Sequence, residues 1–62
     1  MKVKEIDLSK HEYKRICIIE TGKTVHLPPD TEKFFLDTYG EYTVAEDGIS
    51  EKDGWLVVKA DR

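Results

Sequence analysis

The sequence predicts an α+β domain: a small, mostly antiparallel sheet or partly open barrel of about five strands, with one short helix. Three observations carry that expectation. The runs Ile16-Cys17-Ile18-Ile19 and Trp55-Leu56-Val57-Val58 are rich in β-branched residues and apolar on both faces, as strands inside a sheet are. Between them, Pro28-Pro29 interrupts the chain and is followed by Phe34, Phe35, Leu36 and Tyr39, at spacings that share one helical face. Finally, 62 residues provide for one small core and hence a single domain over residues 1–62.

The elements follow in order. In Lys2 to Leu8, Lys4, Ile6 and Leu8 alternate with Val3, Glu5 and Asp7, predicting an edge strand. Ser9 and Glu12 have capping-box spacing, and Leu8 and Tyr13 fit a hydrophobic staple across it, so a helical turn starting at Ser9 competes with extension of the β-branched run Ile16 to Ile19, and residues 9–15 are compatible with either. Lys14 to Glu20 reads as the central strand. Thr21-Gly22 tolerates positive φ and folds Lys23 to Leu27 back as a hairpin arm, with Val25 and Leu27 facing the core.

The two prolines end that arm, and acidic and capping side chains at Asp30, Thr31 and Glu32 open a helix running to Tyr39, with Gly40 as its stop. Phe35 and Tyr39, four apart, are its expected anchors. Glu41 to Ala45 alternates as a strand, Glu46 to Gly54 is polar enough to read as an exposed loop, and Trp55 to Ala60 closes the sheet. Trp55, Phe34, Phe35 and Tyr39 are the expected core aromatics. An SH3-like barrel is the rival architecture.

Charge is unevenly spread. The net charge is −3, yet residues 1–28 carry six basic against four acidic side chains and residues 29–62 four against nine. The acidic total weighs against strong non-specific nucleic-acid binding while leaving room for a local basic face. No apolar run approaches the roughly 20 residues of a membrane span, and the first residues lack the apolar stretch of a secretory signal. The expectation is a soluble, cytoplasmic protein without a membrane partner.

Candidate chemistry is thin. Gly22-Lys23-Thr24 matches the tail of a phosphate-binding loop, but Cys17 stands where the motif needs glycine and strands flank it on both sides. Cys17 is the only cysteine, so no internal disulfide or thiolate cluster forms, and in an apolar strand it reads as a core residue. His11 and His26 have no third ligand at a metal-binding spacing. Asp47, Glu51 and Asp53 lack the order of a calcium loop. No cofactor and no enzymatic activity are expected.

From Gly22 onward, one further pattern stands out. A glycine turn, Val25-His26-Leu27-Pro28, a helix from Asp30, Tyr42-Thr43-Val44, and Asp53-Gly54-Trp55-Leu56-Val57-Val58 fall in an order that resembles the AbrB and MazE type of swapped-hairpin DNA-binding domain, over residues 22–60. The chain departs from that family in having His26 where arginine is usual, Asp37-Thr38-Tyr39-Gly40 at the helix end, and a longer acidic segment after it. The resemblance implies an intertwined dimer with Lys14, Arg15, Lys23 and His26 as DNA contacts.

The leading expectation is a non-catalytic interaction module that regulates or adapts another macromolecule, through binding a protein partner. Its candidate contact residues form two charge poles, Lys14, Arg15 and Lys23 on one surface and Glu46, Asp47, Glu51 and Asp53 on another, with His26 a further candidate contact. The alternative is a dimeric DNA-binding regulator or antitoxin of the kind just described.

Overall fold

The computed structural model describes residues 1–62. Its elements are strands β1 (Arg15–Glu20) and β2 (Lys23–His26), helix α1 (Glu32–Tyr39), and strands β3 (Thr43–Lys52) and β4 (Trp55–Asp61), preceded by two short 3-10 turns, Val3–Glu5 and Leu8–Lys10. One open four-stranded sheet has the order β2-β1-β4-β3. β1 pairs antiparallel with β2, β3 antiparallel with β4, and the two central strands, β1 and β4, run parallel. The α+β class and the single helix agree with expectation. The sheet is open rather than an SH3-like barrel and has four strands rather than five.

The missing strand is the first one. Lys2 makes only an isolated bridge to Thr43, and the chain then turns because the Glu5 carboxylate accepts from the Lys2 backbone N–H at 2.9 Å. In a 3-10 turn, residues three apart eclipse, so Val3 and Ile6 point the same way, and both are buried. Backbone N–H groups of Val3 and Lys4 donate to the carbonyls of Tyr42 and Gly40, strapping this segment over the helix end. The second turn is capped by Asp7, whose carboxylate accepts from the Ser9 N–H at 3.1 Å, rather than by Ser9 itself. Asp7 immediately precedes the turn and Ser9 lies within it, so Ser9 is the capped residue.

β1 and β2 form the expected hairpin, with Gly22 at φ 76°. The helix begins two residues later than the sequence suggests, because Asp30 takes a left-handed φ of 60° after the prolines. The Thr31 hydroxyl donates to the Pro28 carbonyl at 2.7 Å, closing this corner. Phe35 is fully buried and Tyr39 packs beside it with ring centroids 6.2 Å apart, while Tyr42 meets Tyr39 edge-on at 5.0 Å. Phe34 is 52% exposed, contrary to expectation. Adjacent helix positions are turned about 100° from one another, so a helix with one covered face cannot bury both phenylalanines.

The expected loop over Glu46 to Gly54 is instead the second half of β3 and its turn. Lys52 pairs with Trp55 across Asp53-Gly54, both residues with positive φ, 51° and 84°, as a two-residue type I′ hairpin requires. Polar side chains do not weaken an edge strand whose ladder is made by the backbone. The strand is interrupted by a bulge between Val44 and Ile49. Gly48 sits in it so tightly that a Cβ there would lie 2.7 Å from the carbonyl oxygens of Ala45 and Lys59. Core and helix thus cover one side of the sheet through Ile16, Ile18, Leu56, Val58 and Ala60, and leave the other side open.

Candidate functional site

Residues paired across neighbouring strands point to the same side of a sheet, so the registers define what the open face displays. One row holds Arg15, Trp55 and Lys52, the next His26, Cys17, Val57 and Ser50, and a third Thr24, Ile19 and Lys59. None of these is acidic and three carry fixed positive charge, in a chain of net charge −3. Arg15, Lys52 and Lys59 are exposed, Trp55, Val57 and Ile19 are half-buried, and Cys17 forms the buried floor.

The planar groups gather at Trp55. The His26 ring meets it edge-on at 5.1 Å with an interplanar angle of 78°, and the Arg15 guanidinium carbon lies 5.6 Å from the indole centroid. Around them is a shallow depression of about 160 Å³, lined by Cys17, His26, Lys52, Asp53, Trp55 and Val57. Asp53 stands at the hairpin turn beside it. At the far end Asp61 is already engaged, accepting from the Thr21 N–H at 2.8 Å and from its hydroxyl at 3.2 Å.

Cys17 and His26 are direct cross-strand partners. That is the neighbour a nucleophilic thiol would need, but burial pushes the Cys17 thiol up, so it stays protonated near neutral pH. No group of three or more His, Cys, Asp or Glu side chains converges as a metal site would.

On the covered side a larger open cleft, about 650 Å³, runs between the Leu8–Ile16 segment and Pro28 to Glu32. Its charges are mixed and partly spent. His11 Nδ1 lies 2.9 Å from Glu51, which also accepts the Glu12 N–H at 3.2 Å, and these contacts hold the Glu51 carboxyl below its usual range. Tyr13 is pushed up to about 12 by burial and by the adjacent Glu32 carboxylate. Lys14 lines this cleft, and its N–H donates to the Gly54 carbonyl at 2.7 Å.

The residues expected at the two charge poles are therefore redistributed. Arg15 and His26 come together at Trp55. Lys23 pairs with Glu20 at the other end of the hairpin, a strand length of about 17 Å from Arg15. Glu46 and Asp47 sit in the bulge, Glu51 clamps the N-terminal segment, and Asp53 marks the hairpin tip, so no single acidic loop exists. Sequence reasoning passed over Lys52 and Lys59 and expected Trp55 in the core, whereas its ring is half-buried on the open face, outside the buried cluster. The signal was in β4, where Lys59, at an alternating position with Trp55 and Val57, marks their side as the solvent side.

Comparison with protein-family models, curated proteins and solved structures gave no match.

Proposed function

We propose that this chain is a non-catalytic interaction module that regulates or adapts another macromolecule, and that it does so through the open face of its sheet. The supporting observation is the row Arg15–Trp55–Lys52 with His26 and Lys59 beside it: half-buried apolar surface ringed by cations on an otherwise acidic chain. Large half-apolar faces left uncovered on a small domain mark binding surfaces, and a local excess of one charge selects partners of the other. The partner is an anionic macromolecule.

Retention on immobilised heparin at low salt tests this reading. Despite its net charge of −3 the protein is expected to be held and then released by salt. The double variant Arg15→Glu/Lys52→Glu should flow through, while Lys10→Glu/Lys33→Glu, with equal charge change away from the face, should still be held. Flow-through of the unaltered protein, or equal loss in both variants, overturns the reading.

The second reading is a dimeric DNA-binding regulator of the antitoxin type, favoured by the meeting of Arg15 and His26 at Trp55. Lys14 and Lys23 lie away from that cluster, so this reading needs a second copy to complete a basic surface. Sedimentation equilibrium giving a monomer mass would remove it.

A further inference from the structure

We infer that the occupant of the open sheet face is single-stranded nucleic acid, its bases stacked on the Trp55, His26 and Arg15 cluster and its phosphates met by Lys52 and Lys59. This inference rests on the reading of that face as the binding surface and names its partner. Bases stack on indole and imidazole rings and on guanidinium planes, and this cluster presents all three, with the His26 ring centroid 5.1 Å and the Arg15 guanidinium carbon 5.6 Å from the Trp55 ring. The cations frame the cluster at distances a flexible phosphate chain can bridge: Arg15 and Lys52 are separated by two strand spacings, about 10 Å, and Lys59 lies about 13 Å along β4 from Trp55.

The other occupants fit less well. A second copy of the chain placed face to face would set Arg15, Lys52 and Lys59 against themselves, and like charges brought together oppose docking. An extended acidic peptide binds most readily by adding a strand to a free sheet edge. Here one edge, β2, has four residues and runs into Pro28-Pro29, and the other, β3, is broken by the bulge at Gly48. Duplex DNA is read by an element that enters a groove, whereas this face is the broad side of a sheet with no helix upon it.

Trp55 is the only tryptophan, so its fluorescence reports on the site directly. At low salt, titration with a single-stranded oligothymidylate should quench the emission saturably, while a duplex of equal length and polyglutamate should not. Lys52→Gln and Lys59→Gln, both at exposed positions, should each weaken binding and reduce the slope of log affinity on log salt by about 0.7. Absence of quenching by the single strand, or equal quenching by duplex or polyglutamate, overturns the inference. Retention on heparin without a response to single strands would refute the nucleic-acid partner and leave the interaction surface standing; loss of both refutes both.

Discussion

The two faces of this sheet are built from the same four strands and have opposite fates. On one, Ile16, Ile18, Leu56 and Val58 are sealed by Val3, Ile6, Phe35 and Tyr39. On the other, Cys17, Ile19, Val57 and Trp55 share the face with Arg15, Lys52, Lys59 and His26, with Thr24, Ser50 and the turn residue Asp53 beside them, and no helix covers them. The difference arises from supply. Within these 62 residues the eight-residue helix and the N-terminal turns cover one side only. What distinguishes the open side is therefore its chemistry: Lys52, Lys59 and Arg15 stand where the closed side has aliphatic residues.

If that division is right, substitutions should separate cleanly into those that unfold the protein and those that silence the face. The largest loss is expected from Phe35→Ala, which empties the centre of the closed side and should cost about 3 to 5 kcal/mol, read as a fall in the urea midpoint. A midpoint that barely moved would mean the helix is not what seals the sheet. Next comes Gly48→Ala, where the new methyl meets the Ala45 and Lys59 carbonyls and should cost about 1 to 3 kcal/mol by thermal denaturation. An unchanged melting temperature would show that the bulge is free to relax.

Trp55→Leu sharpens the contrast from the other side. Half-buried Trp55 contributes less to packing than Phe35, so the change should cost under about 1.5 kcal/mol while markedly weakening capture by heparin. A loss of stability matching that of Phe35→Ala would place the ring in the core after all.

The smallest effect concerns the strap that closes the sealed side. Glu41 accepts from the ammonium groups of Lys2 at 2.8 Å and Lys4 at 2.7 Å, and these bonds hold its carboxyl at about 2, below its ordinary 4.5. A lowered folded-state value favours folding at pH values above the unfolded one, and that contribution is lost as pH falls from about 4.5 towards 2. Glu41→Gln should therefore flatten the acid limb of the stability curve in that window. Because all three side chains are largely exposed, added salt should shrink the effect in the unaltered protein. An acid limb identical in both proteins would assign no such role to Glu41.

Much of the closed side was legible in the sequence, because burial leaves a periodic trace. The β-branched run of β1, the Thr21-Gly22 turn, the double proline and the Phe35/Tyr39 pair each act over a few residues. The N-terminal segment was not, since alternation in Lys2 to Leu8 is equally compatible with a strand and with a 3-10 turn that brings Val3 and Ile6 to one side. Which of them forms depends on Tyr42 and Gly40, some forty residues away. β3 was hidden by its polarity, although Asp53-Gly54 carried the signal of a tight hairpin. The open face was the least legible part: its members come from all four strands, and only the parallel register of β1 with β4 sets Arg15 beside Trp55.

That parallel pairing also governs how the chain must assemble. The strand nearest the C-terminus, β4, lies between β1 and β3, so the β1–β2 hairpin and β3 share no sheet until residues 55–61 have slotted between them. Each half on its own is a two- or one-stranded fragment, too small to hold an apolar face. Pairing β1 with β4 requires closure of a loop some forty residues long, and long-range pairings of this kind carry a loop-closure entropy that local hairpins do not.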